Sequence, residues 1–132
     1  MCVSVWPKRS AFVSVSCDAS AKVWDIRARE KCVGNFTGHK SDINCVSWFA
    51  DGFAFGTGSD DASTKLFDVR AYRQVKSYAH PQILSGVTSL KFSASGKYLF
   101  TGYDDPPFMI SWSTLSGHPT QNTCSTEYRA WI

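Results

Sequence analysis

With 132 residues, 43% of them hydrophobic and 19% charged, the chain has enough apolar material for a packed core and lacks the charge-rich composition of a disordered polymer. No apolar run is long enough to cross a bilayer as a helix, and the opening Met1-Cys2-Val3-Ser4-Val5-Trp6 has neither a charged leader nor a secretory cleavage pattern. The net charge of +3 is modest, and the five cysteines (2, 17, 32, 45 and 124) contain no Cys-x-x-Cys pair, which argues against a disulfide framework or a thiolate metal site and for reduced thiols in the cytoplasm.

Aromatic residues make up 14% of the chain and favour strands, where flat side chains pack well on a pleated surface. Met1 stands at the start of the first strand. Residues 11–16 and 22–25 then read as strands around the tight turn Cys17-Asp18-Ala19-Ser20. Residues 31–37 and 43–49 follow, with Asp51-Gly52 as a hairpin signal before 53–58. The series continues through 64–68, 74–78 and 87–92, and Ser95-Gly96 separates the last of these from 98–102. Residues 108–112 are a weaker final strand, because Pro106-Pro107 stands where the chain enters it and proline has no N–H for a central ladder. No segment carries a helical pattern.

The octapeptide Asp18-Ala19-Ser20-Ala21-Lys22-Val23-Trp24-Asp25 returns 43 residues later as Asp61-Ala62-Ser63-Thr64-Lys65-Leu66-Phe67-Asp68, and a weaker copy runs from Asp105 to Trp112. Four short strands per unit of this length is the spacing of a β-propeller blade. Gly38-His39 and Trp24-Asp25 are the punctuation of WD repeats. The expected fold is therefore all-β: a fragment of a WD-repeat β-propeller built of four-stranded antiparallel blades. Residues 1–112 form the blades, two complete and most of a third, and residues 113–132 form a divergent tail without a recognisable repeat. Propellers close with roughly four to eight blades, so the expectation is a partial propeller from a longer or truncated product.

His39, Thr57, Ser59 and Asp61 have the residue types of a hydrolase triad. In a WD blade, however, the turn aspartate, loop histidine, strand hydroxyl and strand tryptophan form a buried hydrogen-bond chain that locks the blade. Ser14, Asp18 and Trp24 belong to that chain in the first unit, and His39, Thr57, Asp61 and Phe67 in the second, where Phe67 has no indole N–H to contribute. Asp60-Asp61 and Asp104-Asp105 lie in blade turns, so neither pair reads as a metal site. No catalytic residue, metal or cofactor is expected.

In an up-and-down blade the turn between the second and third strands shares one end with the loop entering the next blade. Cys17-Asp18, residues 38–44, Asp60-Asp61 and Asp104-Asp105 thus gather at one end, acidic apart from Lys40. Arg9, Arg27, Arg29, Arg70, Arg73 and Lys97 fall at the other. A basic or polar protein partner suits the acidic end. The basic end lacks the interleaved exposed aromatics of a single-strand binder, so nucleic acid is not an expected partner.

The wording of these loops resembles one WD family in particular. Cys17 to Asp25, Phe36-Thr37-Gly38-His39-Lys40-Ser41-Asp42-Ile43-Asn44, Thr57-Gly58-Ser59-Asp60-Asp61-Ala62, Leu66-Phe67-Asp68-Val69-Arg70-Ala71 and Gly102-Tyr103-Asp104-Asp105 are similar to the β subunit of heterotrimeric G proteins. The resemblance spans about residues 1–112. It implies a non-enzymatic signalling scaffold of a seven-bladed family, which pairs with a γ subunit and binds the GDP-loaded α subunit and effectors through the acidic loops. Carried over position by position, the α and effector contacts are Met1, Cys17, Asp42, Asn44 and Asp60. The resemblance also implies a cytoplasmic protein that meets the plasma membrane only through lipidated partners. A generic WD scaffold of another complex, or a truncated product unable to fold and function alone, is the alternative.

Overall fold

The structure is a computed structural model, and it describes residues 2–5, 11–28, 32–49, 52–81, 83–104 and 107–119. Its first sheet takes β1 (Cys2–Val5), β2 (Ala11–Val15), β3 (Ala21–Asp25) and β4 (Cys32–Phe36) in chain order, all antiparallel. The second repeats the order with β5 (Ile43–Trp48), β6 (Ala54–Ser59), β7 (Thr64–Asp68) and β8 (Arg73–Tyr78). The third contains β9 (Val87–Phe92), β10 (Tyr98–Asp104) and β11 (Pro107–Ser113) among the described residues. These are propeller blades, and among the described residues no sheet closes on itself. The one helical element described is a single 3-10 turn, Ile26–Ala28, which the strand pattern did not announce.

Alternation along the strands explains how the blades stack. Ala11, Val13 and Val15 on β2 pair with Asp25, Val23 and Ala21 on β3, so one face of the first sheet becomes a continuous apolar surface. It packs against Phe55, Phe67 and Trp48 of the second blade, with Phe36 meeting Phe55 edge-on at 5.1 Å. Phe55 is wholly buried, which stabilises the fold by about 1.5–3 kcal/mol relative to an exposed ring. The other face of the second blade, with Cys45, Leu66 and Tyr78, joins Val87, Phe92, Leu99 and Trp112 in a second core. The middle blade is thus covered on both faces, and β6 is buried along nearly its whole length.

Close approach between blades two and three requires glycine. A Cβ on Gly58 would lie 2.5 Å from Val87 Cγ1 and 2.6 Å from Cys45 Sγ, inside van der Waals contact. The outer strands β4 and β8 keep exposed residues on their free sides, as blade edges do.

The proline-rich entry to β11 does less damage than its composition implied. Pro107 is the first residue of the strand, and β11 pairs with β10 over its whole length, down to Asp104 opposite Pro107. At this end position the missing N–H costs no internal ladder bond. The irregularity of the third blade lies instead between β9 and β10, where the register shifts at Gly102 and Tyr103. Beyond Ser113 the chain turns back, with Ser113 N–H bonded to the His118 carbonyl and Tyr78 Oη donating to the Thr114 carbonyl at 2.7 Å.

Candidate protein-interaction site

The site is built on turns that the repeat makes identical. Asp18 Oδ1 accepts from the Ser20 N–H at 3.0 Å and from the hydroxyls of Ser16 and Ser20. These bonds, the Ser16 hydroxyl first, hold its carboxyl down at about 2. Asp61 repeats the pattern with the Ser63 N–H and hydroxyl, and takes the Lys40 N–H at 2.9 Å on its other oxygen. Burial works against the Asp61 charge, but the bonds from Ser63, Lys40 and His39 outweigh it and also place the carboxyl at about 2. The residue after each aspartate, Ala19 and Ala62, has a positive φ of 64° and 69°. Both are left-handed turn positions occupied by a residue with a Cβ.

From Asp61 the network runs inward. His39 Nδ1 lies 3.0 Å from Asp61 Oδ2, and His39 Nε2 lies 2.7 Å from Thr57 Oγ1. A carboxylate only accepts, so Nδ1 carries the proton and Nε2 accepts from the threonine hydroxyl. Burial lowers the His39 pKa and keeps the ring neutral, despite the opposing pull of Asp61. In the first blade Trp24 Nε1 donates to Ser14 Oγ at 2.9 Å. Phe67 holds the matching position in the second blade and packs its ring edge toward His39, with centroids 6.4 Å apart. The third blade restores the bond, with Trp112 Nε1 donating to Thr101 Oγ1 at 2.9 Å. Sequence reasoning missed Thr101 because the aromatic follows one residue later here than in the first two units.

The expected contact residues Asp42, Asn44 and Asp60 come together at one end of the second blade, against the third. Asp60 N–H donates to the Asp42 carbonyl at 2.9 Å. Asn44 Nδ2 donates to Asp60 Oδ1 at 2.6 Å and to the Val87 carbonyl of the third blade at 3.0 Å. Gly86 presses against this group, for a Cβ there would lie 2.7 Å from Asp60 Oδ1. Asp60 is exposed, and Asp42 and Asn44 are half-buried. Cys17 is exposed in the preceding turn, beside Ser16, whose carbonyl accepts the Ile43 N–H at 3.2 Å. Met1, Asp105, Arg9 and Arg29 lie outside the described residues. Gly86 and Val87 carried no motif, because each matters here only through its contact with the neighbouring blade.

The hydrolase reading fails on access. His39 is 8% exposed, and Thr57 and Ser59 are fully buried. Ser59 Oγ donates to the Ser41 carbonyl at 3.1 Å, and Thr57 serves His39. Neither hydroxyl can meet a substrate, so these residues form a structural hydrogen-bond chain and not a catalytic triad. Among the described residues no three histidine, cysteine or acidic side chains cluster to hold a metal ion.

Four-stranded blades, a 43-residue echo and the Asp-His-Thr chain define a WD-repeat protein. The chain belongs to the WD40 family (WD domain, G-beta repeat), whose model matches residues 30–68 and 72–105. It is similar to the guanine nucleotide-binding protein subunit beta of Arabidopsis thaliana, 45% identical over 108 residues that make up 80% of this chain and 29% of that protein. The subunit beta of Solanum tuberosum is 43% identical over 119 residues, 88% of this chain and 31% of the relative. That of Oryza sativa subsp. indica is 46% identical over 109 residues, 79% and 28% respectively. The chain thus spans less than a third of the length of these relatives.

Proposed function

We propose that the chain serves as the α- and effector-binding segment of a G-protein β subunit, a non-enzymatic scaffold for signal transduction. The observation that carries this reading is the Asp42–Asn44–Asp60 group, three polar residues of the second blade that are hydrogen-bonded together and tied to the next blade. Similarity to curated β subunits over most of the chain supports it. In this reading Asp60 and Asp42 meet basic or polar groups of the GDP-loaded α subunit, and Cys17 and Met1 extend the contact onto the preceding blade. A γ subunit is the second partner, and lipidated partners hold the assembly at the cytoplasmic face of the plasma membrane. No nucleic acid takes part.

The test is binding of purified GDP-loaded α subunit to the chain co-expressed with a γ subunit, measured by biolayer interferometry. Asp42→Ala combined with Asp60→Ala abolishes binding if the site is right, and unchanged affinity rejects the assignment. Failure to capture any γ subunit, with an intact fold, points to a WD scaffold of a different complex.

A further inference from the structure

The far end of the blades holds a cavity of about 290 Å³ between the first and second sheets, near the small end of the range for ligand clefts. Its walls are apolar, with Val23 and Val33 from the first blade and Phe53, Val69 and Tyr72 from the second. Tyr72 is held in place by stacking on Phe36, with centroids 6.3 Å apart and planes 11° from parallel. A Cβ on Gly34 would lie 2.9 Å from the Phe36 ring, so glycine lets this stack sit against β4.

Two arginines, one from each blade, and the single carboxylate Asp25 line the cavity, leaving a net positive lining, and the repeat put the arginines there. Arg27 follows Trp24-Asp25-Ile26 and Arg70 follows Phe67-Asp68-Val69. In both, the aspartate side chain caps the arginine N–H, at 2.9 Å for Asp25 and 2.8 Å for Asp68. The Arg70 guanidinium lies over the Phe53 ring at 4.1 Å from its centroid and makes no ion pair among the described residues. Arg27 has a loose contact with half-buried Asp25 at 3.8 Å, weak because the arginine itself is solvent-exposed. In the third unit Trp112 is followed by Ser113-Thr114-Leu115, so this arginine arrangement is confined to the groove between blades one and two.

We propose that this cavity binds a small amphipathic carboxylate, its tail of roughly six to eight carbons between the blades and its head on Arg27 and Arg70. Planar guanidinium groups match a carboxylate through paired N–H donors, and one held flat on an aromatic ring loses less freedom on binding. Apolar walls supply affinity without selectivity, whereas the two arginines select the charge. The site stands apart from the acidic end, so it is independent of the α-subunit reading.

Octanoate, octanol and octylamine, titrated separately into the ¹⁵N-labelled chain and followed by amide chemical shifts, test this. Octanoate is expected to give saturable shifts at Val33, Val69 and Tyr72, octanol to bind about tenfold more weakly, and octylamine not to bind. Arg70→Gln and Arg27→Gln each weaken octanoate severalfold and leave octanol unchanged. Val33→Trp, at an exposed lining position, blocks both ligands in a chain whose spectrum stays dispersed. Equal affinity for octanoate and octanol overturns the anionic specificity. Absence of saturable shifts with millimolar octanoate in the folded wild-type chain overturns the site.

Discussion

Asn44 and Asp60 share a 2.6 Å hydrogen bond, and the same Asn44 nitrogen reaches the Val87 carbonyl of the next blade at 3.0 Å. Both protons of one amide are therefore engaged, one orienting the exposed carboxylate and the other pinning blade two to blade three. Asn44→Ala is expected to lower stability by about 1–2 kcal/mol, because the carbonyl of buried Val87 loses its partner. Urea unfolding of the two chains measures this. An unchanged midpoint would mean that water replaces the amide.

The tryptophan in the blade network has a natural counterexample at Phe67. Trp24→Phe copies that substitution in the first blade and removes one bond to Ser14, at a cost of about 1 kcal/mol. Trp112→Phe is expected to cost more, about 2–4 kcal/mol, because Trp112 and Thr101 are both fully buried and the missing ring leaves a void. Comparing the two midpoints separates hydrogen-bond loss from packing loss.

Ala62 has a φ of 69°, where the Cβ crowds the backbone by about 1–2 kcal/mol. Glycine removes that crowding but adds freedom to the unfolded chain, offsetting about half of it. Ala62→Gly should stabilise the chain by about 0.5–1 kcal/mol, read as a raised melting temperature. A fall would show that the turn relaxes in solution.

Acid should weaken the second blade in two stages. His39 is lowered from 6.5 by burial, so below that pH the unfolded chain binds a proton that the folded chain does not, and stability falls. Asp61 is lowered from 3.8 to about 2, so its contribution is present above 3.8 and lost as pH falls toward 2. Melting temperatures between pH 7 and pH 5 test the first stage. His39→Gln is expected to flatten that part of the profile, and an equally steep slope in the variant would place the titrating group elsewhere.

Much of the fold was legible because a blade is a local object. Strand β7 and strand β9 fall at the expected residues, since alternation and flanking turn residues set them without reference to distant chain. Strand β10 runs two residues past its expected end because pairing with β11 carries it to Asp104. The candidate site was legible in part: the loop residues follow from repeat register and resemblance. Gly86 and Val87 did not, because each matters only through a neighbouring blade.

By itself the sequence determined the repeat unit, and with it the blade turns, the buried Asp-His-Thr chain and the identical placement of Arg27 and Arg70. A 43-residue period needs no long-range information, for each unit encodes its own strands and turns. Tertiary structure decided what lies between units: the two hydrogen bonds of the Asn44 amide, the glycine contact at Gly58 and the cavity lined by Tyr72. Those features depend on how far apart two sheets stand and which side chains fill the gap. Packing of two surfaces sets that distance, and no single repeat contains both.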